Sequence, residues 1–386
     1  MQKKSSKINY KKVAVLLSLP LQMLLIQLIA SQPLWVESLY TGLVYKHISW
    51  LLRFMFGGIP LPVGQLLFYS IIAVLLVWLI KQVKKLLQKK VTLGQFAGNV
   101  GYGAVAVVSA FYFLFTVMWG LNYHRRPLPE IVQHDQREMS KQELEALAHK
   151  LITLTNESRS RLTENDREPL VLPLTHKQIL EKAPLGFKEI GRQYPELKYE
   201  QPSVKQVLVP EVMSFFGIVG IYFPFTGEAN VNMHPPAYLL PEVVCHEMAH
   251  QIGVASEDEA NFVAYLACRL HPEPAFQYSG NFMALSHTLN RLKYQYPMAY
   301  MYHFQSLSPG VMHDLKANRS YWTAFQNPLE IITDGIHDLF LKANDQEEGL
   351  ESYSHVVELL IGEYRKNKLE YPLPEPGKSI SNKTQN

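Results

Sequence analysis

Three long apolar runs crowd the first third of the chain. Residues 13 to 31 (VAVLLSLPLQMLLIQLIAS), 61 to 80 and 96 to 121 are each apolar enough, and about long enough, to cross a bilayer core as helices. Residues 43 to 58 (LVYKHISWLLRFMFGG) instead mix apolar and polar positions at helical spacing, which predicts a helix lying in the outer interface. From Asn122 onward the pattern is that of a globular protein. Lys141 to Ser158 reads as an amphipathic helix, and HKQILEKAPLGFKEIGRQY from His176 as another, interrupted near Pro184. Short strand-like runs follow at 205 to 209, 217 to 223 and 229 to 233, with Gly and Pro marking the turns between them. Most of 241 to 365 reads as helix again. Helices, a small sheet, then helices is an α+β pattern, mostly helical. The expected division is a membrane region over 1 to 121, a globular domain over 122 to 371, and a polar, Pro-containing disordered tail over 372 to 386.

Charge adds a direction. Charged residues make up 18% of the 386, below the usual share of about 25%, and the shortfall lies in the apolar third. Lys3, Lys4, Lys7, Lys11 and Lys12 precede the first run. Only Lys46 and Arg53 lie between the first and second runs, whereas Lys81, Lys84, Lys85, Lys89 and Lys90 lie between the second and third. Basic residues favour the cytoplasmic side, so the N-terminus is expected inside and everything after the third span outside; Arg125 and Arg126 oppose this and are outnumbered. A signal peptide also begins with lysines, but this run is long for one, and SQPLWVESLY after it has no small-x-small cleavage pattern. Trp35 and Trp119, near span ends, fit either packing or an interfacial belt. A net charge of +3 excludes nucleic acid as a partner suggested by charge. The two cysteines, Cys245 and Cys268, make no metal-binding pair by spacing; two buried thiols is the simpler expectation, a bridge the other.

The candidate chemistry lies in PEVVCHEMAHQIGVASEDEANFVAYLAC, residues 241 to 268. Pro241 and Glu242 mark a helix start, and His246, Glu247 and His250 form an HExxH motif within it. Residues four apart share a helix face, so both imidazoles can reach one zinc ion. Glu247, beside the metal's open position, can take a proton from bound water and deliver it to a leaving amine. A helix with two ordinary histidines is the competing reading, and the context narrows it. Val243, Val244, Met248, Ala249 and Ile252 suit a buried helix; Gly253 can end it with a positive φ. Glu257, Asp258 and Glu259 then open a second helix, with Ser256 placed as its N-cap. A carboxylate from that helix would complete a three-ligand site. Glu257 and Glu259 both qualify, and Glu259 equally suits a plain N-terminal charge.

Glu257 to Asn261, read as E-x-x-A-N, is similar to the E-x-x-[A/S]-D pattern of gluzincin peptidases, whose first Glu binds zinc. The resemblance implies Glu257 as third ligand, with Glu259 the alternative, and Asn261 as a partner orienting a ligand histidine. Asn stands where the pattern has Asp, so a charge is missing, and the link from His250 is short for gluzincins. In such peptidases an edge strand before the helix pairs with extended substrate; residues 217 to 233 are the candidate here, against a plain core hairpin. Near that region lie the polar Glu228 and His234, the latter before two prolines and therefore more a turn residue than a ligand. For the oxyanion, Tyr321 and Tyr222 are candidates among 21 Tyr and 14 His.

Over most of its length the chain also resembles the bacterial membrane proteins grouped as domain of unknown function 3810. The matching pieces are WGLNY at 119 to 123, PFTGEANVN at 224 to 232, CHEMAHQIG with EDEANFVAYLAC, and LKAN with GLESY at 341 to 353. This resemblance implies several spans and a zincin-like domain, and supplies no substrate. The expectation is a multi-pass cell-membrane protein acting as a Zn2+ endopeptidase, with the lipid bilayer and a peptide or protein substrate as partners. A noncatalytic assembly or binding protein with structural zinc is the alternative from another class, against which Glu247 argues; a zinc-dependent cell-wall amidase would use the same chemistry. An intramembrane protease is disfavoured by Glu242, Glu247, Glu257, Asp258, Glu259 and Arg269 around the motif.

Overall fold

Residues 10–118 wind into four helical stretches in a computed structural model that describes residues 10–328 and 355–370, with 335, 338, 339 and 342 between them. Helix α1 (Tyr10–Ala30) is followed by continuous helical winding from Pro33 through a wide π-helical stretch, Val36–Tyr45, into α2 (Lys46–Gly57). Then come α3 (Val63–Leu87) and α4 (Leu93–Met118), the latter opened by a reciprocal cap between Thr92 and Gln95. α1, α3 and α4 are long and apolar enough to cross a membrane. Their outward surfaces are leucine, valine and phenylalanine, while Ser18 and Gln22 of α1 meet Ser109 of α4 at 2.6 and 3.0 Å inside the bundle. α3 runs past the apolar stretch through Lys81, Lys84 and Lys85, whose stems can lie along an apolar helix while their ammonium groups reach water. α4 stops at Met118 rather than Leu121, because Trp119 leaves helical geometry (φ −160°) and Gly120–His124 coils as a tight 3-10 turn.

The helix expected over 43 to 58 differs from that expectation. It continues a helical segment that starts at Pro33, and one face of it is covered by protein. Val36, Tyr40, Thr41, Tyr45, Ser49 and Arg53 are buried, while Leu51, Phe54 and Met55 point outward. Trp35 is exposed and Trp119 is buried.

Among the described residues, the rest is helical segments and connecting turns apart from one small sheet. α5 (Lys141–Ser160) and α6 (His176–Lys182) start at Ser140–Glu143 and Thr175–Gln178 capping boxes, and α7 (Pro184–Gln193) starts at the interrupting proline. β1 (Val204–Gln206), α8 (Pro210–Phe215), β2 (Gly220–Phe223) and β3 (Glu228–Val231) follow. The strands are shorter than the runs that suggested them. β3 is central, parallel to β1 and antiparallel to β2, so β2 is an edge. α9 (Leu240–Gln251), α10 (Glu257–Arg269), α11 (Pro274–Gln295), α12 (Pro297–Phe304), α13 (Pro309–Phe325) and α14 (Val356–Asn367) complete the chain. Nearly all of the LKAN–GLESY stretch, Lys3, Lys4, Lys7 and the tail over 372 to 386 lie outside the described residues.

The main core forms where α9, α10 and α11 meet, from residues such as Val244, Met248, Ala264 and Phe282. A second core of Val36, Tyr40, Tyr45, Phe115, Trp119, Leu121, Tyr222 and Ala255 joins the apolar helices to the sheet and to the turn after α9. Contacts thus run across position 121. A buried ion pair tightens them. Lys205 of β1 donates to Phe56 O (2.9 Å) and Leu61 O (2.8 Å) and pairs with Glu228 of β3. Glu228 in turn accepts from Thr226 and from the Val63 and Gly64 amides, so its charge sits at the N-terminus of α3.

Removing one partner would leave the other charge buried and unpaired. Glu228→Ala is therefore expected to cost roughly 3–5 kcal/mol, read as a lower denaturation midpoint of the detergent-solubilised full chain. Combining Glu228→Gln with Lys205→Met should recover part of that loss. An unchanged midpoint in Glu228→Ala would show that the pair does not hold the sheet to α3.

Candidate metal centre

α9 is buried along almost its whole length, and its apolar positions fix its rotation in the core. That rotation sets His246 and His250 one above the other, with Nε2 atoms 3.1 Å apart. The helix ends at Gln251, and the chain turns back at Gly253 with φ +85°. A Cβ there would lie 2.9 Å from Asn122 Oδ1 and 3.0 Å from Tyr45, so glycine is required by space as well as by backbone. The turn delivers α10 with Glu257 as its first residue. Ser256 occupies the N-cap position, its hydroxyl donating to Asp258.

Each imidazole is held through its far nitrogen. His246 Nδ1 donates to Asn261 Oδ1 (2.8 Å) and His250 Nδ1 to Val254 O (2.7 Å). With both protons placed there, both Nε2 atoms present lone pairs to the same point. Glu257 Oε2 joins them, 3.1 Å from His246 and 3.7 Å from His250. All three ligand atoms lie within 4.8 Å of one another. Three electron-rich atoms so placed repel unless a positive charge lies among them. A proton shared by His246 and Glu257 meets that need, and so would a divalent ion. The donor set of two oriented imidazoles and one carboxylate therefore fits a metal with an open position.

The surrounding electrostatics agree. Burial opposes ionisation of Glu257, but the two imidazoles overcome it and hold the carboxyl well below its ordinary range. Burial likewise disfavours charge on His246, and Glu257, with Glu247 and Glu242 behind it, more than offsets this and lifts the ring to about 9. Glu247 is pushed up to about 7, chiefly by burial; Glu257 adds to the shift, and the imidazoles oppose it. Its Oε2 is buried with no hydrogen-bond partner among the described residues. Beside it lies Gly220 of β2, where any side chain would collide with the carboxylate.

The alternative ligand, Glu259, is not part of this group. Two residues on from Glu257, it points about 200° around the helix. There it accepts from the Leu128 amide at 2.6 Å, and burial, then Asp258, pushes it up to about 7. Tyr222 is turned to the backbone side of α9, where its hydroxyl meets that of Tyr45 at 3.1 Å. Tyr321 bonds Ser214 (2.6 Å) and His234 Nδ1 (2.7 Å), and His234 lies in the irregular segment before α9. Cys245 and Cys268 are buried and free.

Two features escape a local reading of the sequence. Tyr123, in the turn after α4, lies close enough to Glu257 for the carboxylate, after burial, to raise its phenol further. Its signal is the WGLNY segment, noted above only as a piece of the family resemblance. The second feature is the cap on the C-terminus of α9. Trp119 Nε1 donates to His250 O (3.2 Å), Tyr45 to His250 O (3.2 Å) and Gln251 O (3.0 Å), and Ser49 to Gln251 O (2.6 Å). Arg125, paired with Glu37, donates to Gly253 O (3.0 Å). Carbonyls that the helix itself cannot satisfy are thus paired by residues from the apolar third of the chain and just beyond it.

Residues 40–361 match the family model described as "Protein of unknown function (DUF3810)". No curated protein and no solved structure matches the chain.

The geometry makes a direct prediction for the detergent-solubilised full chain. By mass spectrometry a bound divalent ion should be lost in His250→Ala and Glu257→Ala and kept in Glu259→Ala. Asn261→Ala should weaken affinity about 10- to 100-fold in chelator competition. Loss of the ion in Glu259→Ala alone would overturn the assignment.

Proposed function

The chain belongs to the DUF3810 family of proteins of unknown function, and we propose that it is a membrane-anchored, zinc-dependent metallopeptidase of zincin type. One observation carries the reading: the convergence of His246, His250 and Glu257 beside a buried, ionisable Glu247. A structural metal site has no use for such a carboxylate, whose burial without a full set of partners costs stability. Two imidazoles and one carboxylate are a common zinc donor set, which favours zinc among divalent ions.

His246, His250 and Glu257 would hold the ion, with Asn261 and Val254 fixing the rings. Zinc bound there supplies a Lewis acid and a more acidic water. Glu247 takes the proton of the attacking water and returns it to the leaving amine, a task suited to a carboxyl poised near neutral pH. Gly220 lets β2 pass directly against the Glu247 carboxylate, and the edge of β2 offers amide and carbonyl groups for an extended peptide to pair with. Tyr123, whose phenol feels the Glu257 charge, is the donor we assign to the developing oxyanion. The distribution of lysines supports an N-terminus in the cytoplasm and this centre on the outer face of the cell membrane.

Full-length protein in proteoliposomes, digesting a peptide library read by mass spectrometry, tests this. Glu247→Gln should keep the ion and lose about 10²- to 10⁴-fold in rate. Tyr123→Phe should lose about 10²- to 10³-fold, while Tyr321→Phe stays near wild type. No cleavage by zinc-loaded wild type, or equal cleavage by Glu247→Gln, would overturn the reading.

A further inference from the structure

The edge strand beside Glu247 leads from the candidate centre toward the apolar helices. At one end Gly220 touches the Glu247 carboxylate. Tyr222 packs on Trp119, the residue that follows α4, with ring centroids 5.6 Å apart. Phe223 packs over Gly64 in the first turn of α3. Just past the strand, the Phe225 ring meets Phe111 of α4 at 5.8 Å. Phe111 lies about two turns, roughly 10 Å, before the end of α4 at Met118. The turn between β2 and β3 therefore reaches the level of the outer part of the spans, while Glu247 lies about five residues along the strand, roughly 16 Å away.

The surfaces flanking this strand are apolar and exposed. α8 leads directly into β2 and presents Val212 (49% exposed) and Phe215; Leu208, just before it, donates its amide to Gln65 in the first turn of α3 at 2.8 Å. On α2, the face opposite Tyr45 and Ser49 presents Leu51, Phe54 (60% exposed) and Met55. Both surfaces are joined to the ends of the spans, where the neighbouring phase is lipid. Exposed apolar area in that position is explained by insertion into the interface.

We propose that α2 and α8 rest in the outer leaflet and that the centre acts on membrane-tethered polypeptides, cutting them within about five residues of the bilayer surface. The substrate class rests on the peptidase reading; the bilayer contact does not. A chain paired along the free edge of β2, with its scissile bond at Glu247, has its other end directed at the bilayer. A tethered segment meets that geometry without bending, and its tether also raises its local concentration.

Two measurements on full-length protein in proteoliposomes test the proposal. An environment-sensitive dye on Val212→Cys or Phe54→Cys should be quenched by nitroxide-bearing lipid and shielded from iodide; the native thiols are buried and remain unlabelled. A dye at 212 as open to iodide as free dye would overturn the bilayer contact. An unstructured peptide library, palmitoylated at one end, should be cut mainly within about five residues of the anchor. Inserting a flexible spacer should move the cuts with the anchor and not with the sequence. Cuts that follow sequence regardless of anchor distance, or equal cutting of the unacylated library, would overturn the substrate class. No cutting of either library would overturn the peptidase reading and the substrate class with it, leaving the bilayer contact to stand on the quenching.

Discussion

Lone pairs that converge on one point are the constraint around which this molecule is arranged. Two imidazole nitrogens and a carboxylate oxygen crowd together within 4.8 Å, and left to themselves they would rotate apart. They do not, because each is held from behind. Asn261 and Val254 fix the rings, the start of α10 fixes Glu257, and the turn at Gly253 fixes α10 against α9. The tightness of that turn depends on Tyr45 and Asn122, which fill the space a side chain would need. The preorganisation of the centre is thus distributed over residues far apart in sequence. It has the character of a site whose donor atoms are set in place by the fold itself.

Much of the centre was legible in the sequence because it obeys local rules. The i, i+4 spacing of the histidines, the glycine after the helix and the acidic start of the next helix are all short-range signals. Choosing Glu257 over Glu259 needed more, since both lie in the same first turn and only the rotation of α10 separates them. The three apolar helices were legible as well, though not their ends. Charge can ride on a helix beyond its apolar stretch, as in α3, and an aromatic residue can stop one short, as Trp119 does.

What stayed hidden was the other face of the segment after α1. Its buried positions, Val36, Tyr40, Thr41 and Tyr45, recur every four to five residues, the period of a π-helix, and a template of 3.6 residues per turn cannot detect them. The outward face of α2 does follow the ordinary period, so the segment read as interfacial and no more. Tyr123 was hidden for a different reason: nothing near it in sequence hints at Glu257. An edge strand was expected within 217 to 233, but that β2 and not β3 is the edge came only from the pairing, with β3 placed between strands that are further apart in the chain.

Trp119 occupies a position with a consequence for the life of the protein. It is the residue at which α4 ends, and its indole pairs the carbonyl of a candidate ligand, His250. Tyr45 and Ser49 reach the same helix end from the segment before α3. A cut after Met118 would leave Trp119 with the globular part but strip Tyr45 and Ser49 away, and the Gln251 carbonyl would lose both hydroxyls that pair it, at about 1–3 kcal/mol. Cleavage at that point would therefore separate the globular part from groups that close one of its own helix ends. The apolar helices are thus a working part of the globular fold, tied to it through the same residues that hold the end of α9.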